Sequence, residues 1–228
     1  MKLGSISITL VAVALVAASA SAGVVGSAHD LSATGGTIAS NATRVCVFCH
    51  TPHQGTTESG QYPLWNHTMS TQGPYSAYGD PGGTINADDL TDIPVAVLPT
   101  ASVSNLCLSC HDGTVSVISM YNQPNEGTPT LVPIAGRIDA SGFIISNANV
   151  GTSLVDDHPV NFTYDTQTVN DDTELETVAN VQAAGLLDGA DKVQCSSCHD
   201  PHNDTLQPTA FMAVDNTNSA LCTSCHLK

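Results

Sequence analysis

All eight cysteines of this 228-residue chain fall in Cys-x-x-Cys pairs, and each pair is followed at once by histidine: Cys46/Cys49/His50, Cys107/Cys110/His111, Cys195/Cys198/His199 and Cys222/Cys225/His226. Nothing else in the sequence constrains the fold as strongly, because this spacing is the attachment signature of c-type haem. The two thiols add across the vinyl groups, and the adjoining imidazole is then held beneath the ring against the iron. Zinc knuckles and disulfide scaffolds also use closely spaced cysteines. A zinc ribbon, however, would use the last two pairs without needing the histidines, and a disulfide framework would scatter its cysteines. With 9 histidines in 228 residues, four independent placements directly after a pair have a random probability on the order of a few in a million. Four covalent haem c groups are therefore expected. All eight cysteines serve as thioether sites, and His50, His111, His199 and His226 as proximal iron ligands.

The amino terminus reads as a secretory signal over residues 1–22. Met1-Lys2 supplies a positive charge, Ile6 to Ala18 an apolar run, and Ala20-Ser21-Ala22 a small-residue cleavage site before Gly23. The run is short for a membrane span, and no later stretch approaches it, so the mature chain, 23–228, is expected to lack one. Beyond that segment the only basic residues are Arg44, Arg137, Lys192 and Lys228, against 21 acids. Such a balance excludes nucleic acid as a partner, since its recognition needs a basic surface. Basic redox partners, cations or oxide surfaces fit better, although acidity also keeps a secreted protein soluble.

Thr, Ser, Asn, Gly and Asp dominate the remainder, and aromatic residues make up only 4% of the chain. A core of side chains is then thin, and four large apolar macrocycles buried in its place restore the balance. The expected fold is mostly irregular coil with short helices and a few short strands wrapped around a four-haem core.

An internal repeat organises the chain. Cys46-Val-Phe-Cys-His-Thr-Pro-His53 and Cys195-Ser-Ser-Cys-His-Asp-Pro-His202 are opening elements, while Ser104-Asn-Leu-Cys-Leu-Ser-Cys-His111 and Ser219-Ala-Leu-Cys-Thr-Ser-Cys-His226 close each half. This implies a duplicated two-haem module within a single domain, with modules at about 29–113 and 191–228 and a spacer at about 114–190. In the opening element the second histidine lies three residues after the first. It stays on the proximal side of its own haem, so His53 and His202 are expected to ligate some other iron. In the spacer, Thr114–Ile118 and Phe143–Ile145 read as short β-prone runs, and Glu174–Leu187 as helix. A further short helix is expected at each haem motif.

Five histidines, His29, His53, His67, His158 and His202, remain as distal candidates for four irons. Methionine competes only through Met69, Met120 and Met212, so bis-His coordination is expected. A reducing enzyme needs an open position on one iron, and this supply leaves none to spare. No catalytic residues are assigned; an electron-transfer protein is expected rather than an enzyme.

The quoted motifs, together with Leu64-Trp-Asn-His67, Cys107-Leu-Ser-Cys-His-Asp-Gly113 and Asp157-His-Pro-Val160, resemble the doubled-motif multihaem c-type cytochromes. They resemble in particular the tetrahaem outer-membrane cytochrome E type, which assembles into extracellular cytochrome nanowires. The resemblance implies a secreted protein that polymerises with copies of itself around a continuous haem chain. It also implies that His53 ligates a haem of the neighbouring subunit and that His29 is a distal ligand. Other redox proteins or extracellular acceptors would be its partners. The alternatives are a soluble periplasmic tetrahaem carrier and, from a different class, an oxyanion reductase.

Overall fold

The computed structural model describes residues 23–33, 38–55, 64–72, 75–77, 102–125, 127–165, 169, 173–203 and 211–227. The expected signal segment lies outside the described residues. Within them, the apolar side chains gather into several small clusters instead of one core. Ile38, Val117, Ile138 and Ile144 form one, and Ala39, Ala42, Phe48 and Met120 a second. Tyr75, Leu108 and Leu154 form a third; Phe162, Tyr164, Val181, Leu186 and Val193 form a fourth in the second half. A chain so poor in aromatic residues has too few large side chains to merge these groups.

Among the described residues, regular structure is short. A 3-10 turn spans Val45–Phe48, and the α-helices are α1 (Val103–His111), α2 (Val178–Ala183), α3 (Cys195–Cys198) and α4 (Ala220–Thr223). Each haem motif thus carries a helical turn. The strands are two residues each: β1 (Ser76–Ala77) pairs in parallel with β2 (Ser153–Leu154), and β3 (Phe162–Thr163) pairs antiparallel with β4 (Lys192–Val193). Among the described residues no helix is long and apolar enough to cross a membrane.

Three local expectations are corrected. Thr114–Ile118 runs through bends and turns, not a strand. Asp112 Oδ1 accepts from the Thr114 amide at 2.9 Å and from its hydroxyl at 2.8 Å, and this side-chain pairing diverts the backbone from a ladder. Phe143–Ile145 contributes only a single bridge, Ile138 to Ile144. The helix expected over Glu174–Leu187 is α2 alone. Thr177 caps its start, its side chain accepting from the Asn180 amide, and Gly185 with φ of 74° follows its end. Glu174–Glu176, ahead of the cap, is drawn into a different pairing described below.

The two halves meet through a buried polar hub. Ser102, which caps α1, and Ser104 both donate to Gln194 Oε1, at 2.9 and 2.6 Å. Gln194 Nε2 donates to Asp188 Oδ2 at 3.0 Å, and Ser104 Oγ accepts from the Cys195 amide at 3.1 Å. Helix α1 of the second motif is thereby bolted to α3 of the third. The start of the described chain joins them, the Gly23 amide donating to the His202 carbonyl at 2.7 Å.

Candidate haem-binding site

Three of the four motifs share one backbone arrangement. In each, the histidine amide closes a helical turn onto the first cysteine's carbonyl: His50 to Cys46 at 2.8 Å, His199 to Cys195 at 3.0 Å and His226 to Cys222 at 2.9 Å. An extended segment then clamps the histidine between two antiparallel hydrogen bonds. Asn66 donates to the Cys49 carbonyl and Thr51 to that of Leu64; Ala213 donates to Cys198 and Asp200 to Phe211; Glu176 donates to Cys225 and Leu227 to Glu174. Trp65, Met212 and Leu175 are the residues bridged to the three histidines. A backbone fixed on both sides leaves the imidazole with only its own two torsions, which suits a ligand that must meet a metal in one orientation. The second motif differs. There α1 is a full helix, and Val150 donates to the His111 carbonyl at 2.8 Å.

The histidines are disposed in facing pairs. His50 and His202 have ring centres 6.0 Å apart with planes inclined by 17°. His29 and His111 are 6.1 Å apart at 88°, and His158 and His226 are 6.4 Å apart at 74°. Two imidazoles bound to one metal ion from opposite sides, at the ~2.0–2.1 Å usual for metal–histidine bonds, hold their ring centres about 6 Å apart. Each pair contains one motif histidine and one of the five distal candidates. Among the described residues no group of three or more His, Cys, Asp or Glu side chains is placed to hold a metal ion.

Second contacts orient the rings. His111 Nδ1 lies 2.7 Å from the Ala148 carbonyl and His158 Nδ1 3.0 Å from that of Pro159. A proton held on Nδ1 leaves the Nε2 lone pair for a metal. His29 is set by the Phe211 ring, 4.3 Å away and tilted by 36°. Its Nδ1 is buried with no hydrogen-bond partner. Burial, reinforced by repulsion from His111, lowers its pKa to about 4. A neutral imidazole with an orphaned buried nitrogen, facing a motif histidine across a gap of ligand width, fits an axial ligand of haem iron. Burial lowers the pKa of His50 as well, with His202 adding to the effect.

His67 and His53 are placed differently. His67 is buried, with Nδ1 2.9 Å from the Thr68 carbonyl, Nε2 3.1 Å from that of Ser116, and Nε2 3.3 Å from Cys110 Sγ. Burial lowers its pKa despite these carbonyls. A neutral ring carries one N–H and cannot serve both carbonyls, so one nitrogen is left facing an acceptor beside a thioether position. His53 is exposed, its backbone carbonyl taking the Thr51 hydroxyl at 2.8 Å. The competing ligands Met69, Met120 and Met212 are buried, Met120 beside Phe48.

The thiols show how closely the motifs approach. Cys107 and Cys195 are hydrogen-bonded to each other. That bond, with help from Ser104, lowers the pKa of the Cys195 thiol and pushes that of Cys107 up. Burial raises Cys49 to about 11 and raises Cys110 further. The first attachment positions of the second and third motifs therefore touch. Sequence reasoning missed this seam and the clamps. Gln194 and Ser104 carry no periodic signal, and the clamping segments have no common residue type.

Residues 189–228, which hold the third and fourth motifs, match the family described as Doubled CXXCH motif. A comparison with curated proteins found no match. The family match and the four motifs support a multihaem c-type cytochrome that holds haem c and its iron covalently, in an electron-transfer role.

Proposed function

We propose that the chain is a secreted tetrahaem cytochrome whose four irons are all held by two histidines, and that it conducts electrons and does not catalyse a reaction. The observation that supports this is the set of three histidine pairs with ring centres about 6 Å apart, the spacing that two imidazoles on one metal would have. Haem iron exchanges one electron between ferric and ferrous states when bound, and two strong axial ligands hold it low-spin and closed to substrate. The chain's part is to fix those imidazoles. The clamps hold three of the motif histidines, the Ala148 and Pro159 carbonyls accept hydrogen bonds from Nδ1 of His111 and His158, and the Phe211 ring seats His29.

The finer reading is an extracellular filament in which His53 of one copy ligates an iron of the next. Exposure of His53 supports that role, and the acidic surface suits basic redox partners or oxide acceptors. Electron microscopy of the secreted fraction tests it together with His53→Ala. The expected result is filaments in the wild type, and in the variant loss of assembly with one iron per chain turning high-spin. Monomers in the wild type favour the periplasmic carrier. If His53→Ala leaves both assembly and every low-spin signal unchanged, the assignment of His53 is wrong. High-spin iron in the intact wild type favours the reductase.

A further inference from the structure

His202 belongs to the opening element of the second half, yet its ring centre lies 6.0 Å from that of His50, the first motif histidine of the first half, with the planes inclined by 17°. The placement is built from several sides. The clamp through Leu64 and Asn66 fixes His50, while the Asp200 carboxylate accepts from the His202 amide at 2.9 Å and the Gly23 amide grips the His202 carbonyl. We infer that the iron of the first haem is shared between the two halves, with His50 on one side and His202 on the other, their planes nearly parallel. This rests on the reading of the motifs as haem sites and deepens it. Because His202 lies three residues after His199, the iron it reaches must be the near neighbour of the third haem. The first and third haems then form the electron contact between the halves, and the two modules cannot be loaded and folded as independent units.

The inclinations of the pairs give this assignment a spectroscopic mark. Near-parallel axial imidazoles split the ferric iron orbitals strongly and give a rhombic low-spin resonance, whereas near-perpendicular ones leave them nearly degenerate and give a highly anisotropic signal. The His50/His202 iron, at 17°, belongs to the first class, and the His29/His111 and His158/His226 irons, at 88° and 74°, to the second.

The test is paramagnetic resonance of the oxidised, haem-loaded full chain in the wild type, His202→Ala, His50→Ala and the double variant, with haem per chain counted by intact mass. In each single variant one iron per chain should become high-spin, with the loss taken from the rhombic signal. The double variant should again alter one iron, because both residues serve the same one. Two altered irons in the double variant, a loss taken from the anisotropic signal, or an unchanged spectrum in His202→Ala overturns the pairing. His202→Met keeps a ligand in place should alanine prevent folding; one reduction potential per chain should then rise, as methionine ligation raises it, and unchanged potentials refute the assignment. A wild type lacking four low-spin haems would instead overturn the functional reading itself, and is seen before any variant is made.

Discussion

Phe211 is held with φ of 51°, in the left-handed region that costs an L-residue roughly 1–2 kcal/mol. Its carbonyl closes the clamp on the third motif and its ring seats His29, so one strained residue serves both. Phe211→Ala should lower the unfolding free energy by about 3 kcal/mol through the lost buried ring. Phe211→Gly should be no less stable than the alanine variant, since glycine relieves the strain. If glycine is instead the worse by its ordinary penalty of about 0.5–1 kcal/mol in chemical denaturation, the strain is not stored there. Gly113 is the complementary case. It follows α1 with φ of 73°, and a Cβ there would collide with the Asn149 side chain. Gly113→Ala should cost at least about 1–2 kcal/mol and lower the melting temperature by several degrees. An unchanged melting temperature would argue against this end to the helix. Glycine after the second motif could be read from sequence as a helix stop; Phe211 could not, because nothing local marks a phenylalanine for positive φ.

Helices of four to nine residues are too short to persist alone, so the elements that carry the haem motifs depend on what holds them together. Gln194 is the main such contact, joining Ser102 and Ser104 of one half to Asp188 and α3 of the other. Gln194→Leu preserves volume but strands two buried hydroxyls and a carboxylate. It should cost about 2–4 kcal/mol, seen as a lower denaturant midpoint with unchanged haem content per chain. A midpoint equal to the wild type would remove the hub from the account of the seam. The turn at each motif was legible from spacing, since a histidine placed four residues after a cysteine closes one helical turn. The strand expected at Thr114–Ile118 failed because Asp112 pairs with Thr114, and the helix from Glu174 was shortened because Glu174–Glu176 clamps His226.

At the scale of the whole molecule, a formal charge of −16 predicts how it should meet charged surfaces. Adsorption of the haem-loaded protein should be strong on amine-bearing surfaces and weak on carboxylate ones. It should fall steeply as salt rises through 0.1 M, where the screening length is ~10 Å. Binding that ignores salt, or that favours the anionic surface, would rule out electrostatic docking. The covalent haem attachment was legible in sequence, because it depends on residues a few positions apart, and the sequence also named five further histidines as candidate ligands. It also carried the prediction that His202 leaves its own haem, which follows from chain geometry over three residues. Which imidazole faces which was decided only by the tertiary structure. His29 reaches His111 and His202 reaches His50 over long separations in sequence with no periodicity to encode the meeting, so small clusters, bridged backbones and one buried polar hub bring them together.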